Sequence, residues 1–162
     1  MKLETFSSSW PVIRFDEIDS TNEEARRRAT AGDVGPCWLV TSAQTAGRGR
    51  LGRQWSSPRG NLYVTALLPF PGSLQEAALA CFSAGLAVTD AAPERVDRVT
   101  TCLTALPGGA SITAPKLLAM LDISFRARLF QLLGEGFEPT REAWLAQAAG
   151  LGSRIELTPA SG

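Results

Sequence analysis

A short apolar run followed directly by a glycine- and arginine-rich segment constrains the fold of this chain more than any other feature. The run Trp38-Leu39-Val40-Thr41 is typical of a buried strand. The segment Gly47-Arg48-Gly49-Arg50-Leu51-Gly52-Arg53-Gln54-Trp55 follows it. Its glycines allow positive φ angles and close approach to a ligand, and exposed N–H groups in such a loop can surround an anion. Because Arg48, Arg50 and Arg53 can bind phosphate or carboxylate oxygens in pairs, we predict an anion-binding loop.

The remaining hydrophobic pattern predicts an α+β fold, a mixed β-sheet flanked by helices. Strands are expected at residues 12–15, 38–41, 61–68 and 153–157. Helices are expected from near Thr21 to Gly32, from Ser73 to about Ala91, from about Thr113 to Leu133, and from a cap at Thr140 to Ala149. Ser20–Glu23 and Thr21–Glu24 both have the spacing of a capping box, which predicts the start of the first helix.

Composition excludes several kinds of chemistry. The chain has no histidine, which excludes Ser-His, Cys-His and His-metal sites. Sixteen basic and sixteen acidic residues give zero net charge, so no global field attracts nucleic acid or membrane. Cys37, Cys81 and Cys102 lie among apolar neighbours and are predicted to be buried, reduced thiols. Without a signal peptide or an apolar run of about 18–20 residues, a soluble cytoplasmic protein is expected.

The glycine-arginine loop leaves alternatives open when its residues are considered alone. Between Gln44 and Gly60 there are four arginines and no acid, so a flexible basic surface loop or a contact with RNA or DNA backbone is an alternative. No other basic stripe or aromatic platform supports nucleic-acid binding. The loop is not a P-loop because no Gly-Lys-Ser/Thr follows, and its glycines do not open a helix as in a dinucleotide fingerprint.

The segment from Gln44 to Trp55 resembles the adenylate-binding loop of the biotin protein ligase family. Further similarities stand at the family's spacing: Asp19-Ser20-Thr21-Asn22 before the loop, Asn61-Leu62-Tyr63 after it, and Gly85-Leu86-Ala87-Val88 on the next helix. The segment from Glu135-Gly136-Phe137 through Trp144 is also similar to the family's helical end. The resemblance covers most of the chain and implies a ligase catalytic domain, whose fold is like that of class II synthetases.

The resemblance implies an ATP-dependent reaction in two steps. Biotin's carboxylate attacks the α-phosphate of ATP, with Mg²⁺, to give biotinyl-5′-adenylate and pyrophosphate. A lysine of a carboxylase's biotin carrier protein or domain then attacks the mixed anhydride. This carrier is the expected partner; no nucleic acid or membrane is expected, and a homodimer is a possible assembly. Lipoate and octanoyl transferases share the fold but lack this double arginine-glycine loop.

The resemblance also assigns the site. The residues expected to bind biotin or its adenylate are Ser20, Thr21, Asn22, Gln44, Gly47, Arg48, Gly49, Arg50, Arg53 and Trp55. Arg48 and Arg50 are expected to be catalytic, since preorganised cations stabilise the charge that builds on phosphate oxygens. No metal ligand is assigned. Ser20 and Thr21 are equally good candidates for simple helix caps, and Trp55 for a packing anchor.

The family's lysine-bearing Lys-Trp-Pro-Asn-Asp segment and its later Gly-x-Gly-x-Asn strand have no counterpart here. The only lysines are Lys2 and Lys116, and the sequence passes from Ala91 directly to Ala92, where several central strands are expected to be missing. Three alternatives remain: an ordinary ligase with further residues at this join, a shortened relative that binds biotin or its adenylate without making it, and an incomplete product that folds poorly alone. The expected domains are a catalytic domain at 1–152, incomplete near 91–92, and a remnant of a C-terminal β domain at 153–162.

Overall fold

The computed structural model describes residues 8–49, 53–91, 111–148 and 151–152. Their α+β arrangement agrees with the expected fold class. The elements in chain order are β1 (Val12–Ile18), α1 (Thr21–Thr30), β2 (Cys37–Gln44), β3 (Tyr63–Leu67), α2 (Leu74–Ala91), α3 (Ala114–Glu135) and α4 (Glu138–Gln147). The strand expected at 153–157 lies outside the described residues, and so does the second residue of the join at 91–92.

The described strands form one mixed sheet in the order β1-β2-β3. β1 runs parallel to β2, with Ile13 beside Leu39, and β2 runs antiparallel to β3, with Val40 beside Val64. β2 is the central strand and the most buried, because both of its edges are hydrogen-bonded and both of its faces are covered. The central strand therefore ends, at Gln44, where the glycine-arginine loop begins.

Helices α2 and α3 cover one face of the sheet. Trp38 and Val40 point from β2 into a core that includes Ala87 of α2 and Phe125 of α3. Trp10 packs beside Trp38 with ring centroids 5.4 Å apart, and Phe125 meets both indoles edge-on. The apolar face predicted for the long helix is confirmed by four of its buried residues, Leu118, Phe125, Leu129 and Leu132.

A buried ion pair accompanies this aromatic cluster. Asp122 of α3 is 7% exposed and accepts a hydrogen bond of 2.8 Å from the Trp38 indole nitrogen. Its other carboxylate oxygen lies 3.0 Å from the Arg126 guanidinium, one helical turn away. The hydrogen bond between Trp38 and Asp122 was not predicted from the sequence, because the two residues are 84 positions apart in the chain. It attaches α3 to the central strand.

Helix α1 lies on the opposite face of the sheet. Val64 and Ala66 of β3 pack against the α2–α3 core, so Thr65 between them points the other way and hydrogen-bonds to α1. Ion pairs of Arg27 and Arg28 with Glu24 support the helix, with N···O distances of 2.9 Å. Helix α1 is thereby held with its first turn over the end of the sheet.

Several local predictions were wrong. The capping box expected at Ser20–Glu23 does not form; an equivalent box begins α2, where Ser73 and Glu76 exchange hydrogen bonds. Thr140 does not cap the last helix, which begins at Glu138 and buries the Thr140 side chain. Cys81 is exposed, unlike buried Cys37, and Cys102 lies outside the described residues.

None of the described helices is long and apolar enough to cross a bilayer.

Candidate functional site

A cleft of about 610 Å³ lies between the first turn of α1 and strand β3. It contains five of the ten residues that the sequence predicted for the site. Its lining residues are Ser20, Thr21, Asn22, Glu23, Ala25, Arg26, Gln44, Arg48, Leu62, Tyr63, Val64 and Thr65. The first turn of α1, the end of β2, the start of the loop and β3 thus meet here, although 44 residues separate Thr21 from Thr65.

The Gln44 side chain, rather than the Ser20 hydroxyl, accepts a hydrogen bond from a backbone N–H at the start of helix α1. Ser20 occupies the N-cap position in an extended conformation, but its hydroxyl makes no capping hydrogen bond. The Thr21 N–H instead donates to Gln44 Oε1 at 2.9 Å. Since Ser20 is 7% exposed and lines the cleft, its uncommitted hydroxyl is a candidate ligand contact. The interpretation of Ser20 as a simple cap is therefore wrong.

Ser57 fixes the orientation of the Gln44 amide. Gln44 Nε2 donates to Ser57 Oγ at 3.2 Å, so the amide nitrogen faces the hairpin and the amide oxygen faces α1. A Cβ on Gly47 would lie 2.6 Å from the same Ser57 oxygen and 2.8 Å from the Trp55 carbonyl oxygen. Gly47 is therefore required by the close approach of its own hairpin, and not by positive φ, as the sequence suggested.

The described part of the glycine-arginine loop is a hairpin. Its two sides are joined by hydrogen bonds from Gly49 N–H to the Arg53 carbonyl at 2.7 Å and from Trp55 N–H to the Gly47 carbonyl at 2.9 Å. These two N–H groups are already paired, so they cannot form the anion-binding concavity expected from the sequence. Arg50, together with residues 51 and 52, lies outside the described residues.

Arg48 brings the positive charge of the loop into the cleft. Its side chain is 67% exposed, and its guanidinium lies 3.6 Å from Glu23 Oε1. Glu23 also lies 3.5 Å from Arg26, so two arginines flank one carboxylate at the mouth of the cleft. Exposed pairs at such distances contribute little stability, about 0–1 kcal/mol. Arg48 can thus exchange Glu23 for an incoming anion at small cost.

Trp55 and Arg53 lie away from this cleft. Trp55 is 64% exposed, which excludes the packing-anchor interpretation, and it lines a second cleft of about 680 Å³ beside the hairpin. At the edge of that second cleft, Arg59 hydrogen-bonds both carboxylate oxygens of Asp16 at 2.8 and 2.7 Å. These bonds hold the pKa of Asp16 below its usual range.

Asp19, directly before Ser20, is fixed by an arginine of α1. Arg27 hydrogen-bonds both of its carboxylate oxygens at 2.8 Å. This contact, supported by the Ser20 N–H, lowers the pKa of Asp19 to about 2 and raises that of Arg27. The backbone at Ser20 is therefore held on its N-terminal side by the Asp19–Arg27 contact and on its C-terminal side by the Thr21–Gln44 hydrogen bond.

Sequence reasoning missed three residues of the site. Glu23 and Thr65 line the cleft, and Ser57 orients the Gln44 amide. Each acts through a partner distant in sequence, and no local motif signals such a contact. Within the described ranges no cluster of three or more acidic, cysteine or histidine side chains could hold a metal ion, so no residue is assigned to Mg²⁺.

The comparison with known families agrees with this geometry. Residues 14–108, more than half of the chain, match the model of the Biotin/lipoate A/B protein ligase family. The chain belongs to this family. The biotin–[acetyl-CoA-carboxylase] ligase of Paracoccus denitrificans is 45% identical to the chain over 73 residues, which cover 45% of the chain and 30% of that ligase. The resemblance to biotin protein ligases that the sequence indicated is thereby confirmed.

Solved structures of the ligase family show the same fold. The Aquifex aeolicus biotin protein ligase, solved with biotin and ATP, has a TM-score of 0.68 at 22% identity, covering 86% of this chain and 79% of that one. The Leishmania major biotin protein ligase, solved with biotinyl-5-AMP, has a TM-score of 0.66 at 19% identity, covering 94% and 86%. The mixed sheet with flanking helices is thus a fold that this chain shares with solved biotin protein ligases.

Proposed function

We propose that this chain is an ATP-dependent biotin protein ligase, which forms biotinyl-5′-adenylate and transfers biotin to a lysine of a carboxylase carrier domain. The observation that carries the proposal is the cleft that the uncommitted Ser20 hydroxyl, at the N-cap of α1, lines together with Arg48. The Paracoccus relative bears the name of such a ligase. A cytoplasmic location and a carrier-domain partner are proposed with this activity, because ATP and carboxylases occur together in the cytoplasm.

The cleft supplies groups suited to the first step. Ser20 can hydrogen-bond a polar head group, and strand β3 forms the facing wall of the cleft. Arg48 can pair with the carboxylate and then with the phosphate. A carboxylate oxygen attacks the α-phosphorus of ATP, the bond to the β-phosphate bridging oxygen breaks, and pyrophosphate leaves. Fixed cationic donors stabilise the charge that develops on the phosphate oxygens.

The second step needs an amine nucleophile from the carrier. Its uncharged lysine nitrogen attacks the carbonyl carbon of the mixed anhydride, an amide bond forms, AMP leaves and the amine loses a proton. We assign Arg50 to this adenylate on the family resemblance, with Arg48 as the neighbouring cation. Residues 1–152 are proposed as the catalytic domain and 153–162 as the remnant of a C-terminal domain.

A second candidate function is a non-catalytic binder of biotin or biotinyl-adenylate. The observation that favours it concerns lysine. Of the two lysines in the chain, Lys116 lies in the first turn of α3 and does not line the cleft, and Lys2 lies outside the described residues. The family resemblance implies a lysine that contacts carboxylate and phosphate. A chain without it can retain the binding groups while losing the ability to form the adenylate.

Biotin-dependent exchange of pyrophosphate into ATP, combined with calorimetric titration of biotin, distinguishes the candidates. A ligase binds biotin and exchanges; a binder binds biotin without exchange. Absence of both overturns both proposals. Arg48→Ala should reduce exchange at least about tenfold, whereas the matched variant Arg141→Ala, an exposed arginine paired with Glu138 on α4, should not. Equal effects of the two variants would contradict the role of Arg48.

A further inference from the structure

We propose that Ser57 is a positioning residue for ligand binding, which acts on the cleft between α1 and β3 through the Gln44 amide. The identity of the ligand as biotin rests on the proposed function, whereas the side-chain geometry does not. Ser57 is 6% exposed and lines the second cleft beside the hairpin, while Gln44 lines both clefts. An effect of Ser57 on a ligand in the cleft between α1 and β3 therefore has to pass through Gln44.

Ser57 holds Gln44 at two points. The Gln44 backbone N–H donates to the Ser57 carbonyl at 3.1 Å, and Gln44 Nε2 donates to Ser57 Oγ at 3.2 Å. The single proton of the Ser57 hydroxyl faces the Trp55 carbonyl oxygen at 3.4 Å. The hydroxyl thus accepts from Gln44 and donates to the hairpin, and no proton is needed for two contacts.

The backbone of α1 determines the orientation of the Gln44 amide. The Thr21 N–H lies 2.9 Å from Gln44 Oε1, and a backbone N–H can only donate. Rotation of the amide by 180° would place Nε2, which also only donates, against this N–H. The Thr21 hydroxyl lies 3.3 Å from the same oxygen, whose two lone pairs can accept from both groups. The orientation of the amide is therefore the same whichever way the Thr21 hydroxyl points.

Gln44 thus connects the glycine-arginine hairpin to the first turn of α1. With its nitrogen held by Ser57, the amide keeps its oxygen on the Thr21 N–H, directly after Ser20 in the chain. Loss of the Ser57 hydroxyl leaves Gln44 Nε2 without this acceptor and allows the side chain other rotamers. A ligand then binds a cleft whose wall is no longer fixed in advance, which lowers its affinity.

Biotin affinity tests the role of Ser57 in the cleft. Ser57→Ala removes the hydroxyl and retains the backbone bond to Gln44, so the hairpin should still form. Ser56→Ala is the matched control, since Ser56 also lines the second cleft but is exposed. Calorimetric titration should give about a fivefold to tenfold higher Kd for Ser57→Ala and an unchanged Kd for Ser56→Ala. In a Gln44→Ala background, Ser57→Ala should raise the Kd by less than about twofold, because its effect passes through Gln44.

Hydrogen exchange of the Thr21 backbone amide gives a readout without any ligand. Ser57→Ala should speed this exchange about fivefold to tenfold, because Gln44 Oε1 no longer stays on the Thr21 N–H. The Glu24 amide, which donates to the Ser20 carbonyl within α1 at 3.0 Å, should exchange at an unchanged rate. A general loosening of α1 would instead accelerate both amides.

Three results would overturn the role of Ser57. They are an unchanged biotin Kd in Ser57→Ala, the same rise in Kd with and without Gln44, and an unchanged exchange rate at Thr21. If Gln44→Ala abolishes measurable binding, the contrast between the Thr21 and Glu24 amides takes the place of the double variant. If the unaltered protein does not bind biotin, the proposed function fails, and the exchange at Thr21 alone then decides whether Ser57 positions Gln44.

Discussion

The buried carboxylate of Asp122 gives the strongest stability prediction. Its side chain is 11% exposed and has two partners, the Trp38 indole N–H and the Arg126 guanidinium, whose side chain is 14% exposed. Asp122→Ala removes the acceptor of the indole, and an unsatisfied buried donor costs about 1–3 kcal/mol. It also removes the opposite charge beside Arg126, and breaking a buried ion pair costs about 3–5 kcal/mol. Because the two losses overlap, we expect a decrease of about 3–4 kcal/mol in the free energy of unfolding.

Asp122→Asn separates the loss of charge beside Arg126 from the loss of the hydrogen bond to Trp38. The amide retains an oxygen for the Trp38 indole but carries no charge, so its expected loss is smaller, about 1–3 kcal/mol. The matched control is Asp90→Asn. Asp90 also joins α2 to α3, through Arg128 at 2.9 Å, but these side chains are 28% and 23% exposed. Such a solvent-accessible pair contributes about 0–1 kcal/mol.

Urea denaturation followed by tryptophan fluorescence measures these differences, since Trp10 and Trp38 are both buried in the core. With an m-value of about 2 kcal/mol/M, Asp122→Ala should lower the midpoint by about 1.5–2 M. Asp90→Asn should lower it by at most about 0.5 M. If the Asp122 and Asp90 variants have the same midpoint, the reasoning from burial is refuted.

The remaining predictions concern thiols, pH and the hairpin. Peptide-level mass spectrometry of the native protein after thiol labelling should show rapid modification of Cys81 and slow modification of Cys37, whose thiol pKa is raised by burial; equal rates would contradict the assigned burial. Because the folded pKa of Asp19 is lowered from 3.8 to about 2, its contribution to stability is present above pH 3.8 and is lost as the pH falls through about 2. Asp19→Asn should therefore be less stable than the unaltered protein above pH 3.8, and the difference in the free energy of unfolding should shrink as the pH falls towards about 2. A difference that stays constant with pH would argue against the linkage. Gly47→Ala should lower the free energy of unfolding by about 1–3 kcal/mol, because its Cβ would meet two oxygens of the hairpin. Gly134→Ala, in α3 with open space around it, should stabilise by up to about 1 kcal/mol, and chemical denaturation of both variants tests the contrast.

Elements with a strong hydrophobic period could be predicted from the sequence. The run from Trp38 to Thr41 predicted the core of β2, although the strand extends from Cys37 to Gln44. The apolar period of the long helix predicted α3 and its buried face. Such patterns are local, because a residue's burial depends first on which side of its own helix or strand it occupies.

Helix starts and cysteine burial could be predicted less well. Ser20–Glu23 and Ser73–Glu76 have the same spacing, and only the second forms a capping box. The sequence pattern is equal in the two cases. In α1 the Thr21 N–H bonds Gln44 from a distant strand, a contact that no local pattern signals. Cys81 has apolar neighbours along the chain, but its direction on α2 exposes it.

In the candidate site, the sequence predicted which residues lie together better than it predicted their hydrogen bonds. Resemblance brought Ser20, Thr21 and Gln44 together correctly, because a family motif records which residues meet. It does not record how their protons are shared. In this chain Gln44 is bonded to Thr21 at one end and to Ser57 at the other, so much of its hydrogen-bonding capacity is used within the protein. Among the predicted site residues of this cleft, the Ser20 hydroxyl makes no capping hydrogen bond and the Arg48 side chain is 67% exposed. We therefore expect these two groups to be more available to a ligand than the Gln44 amide.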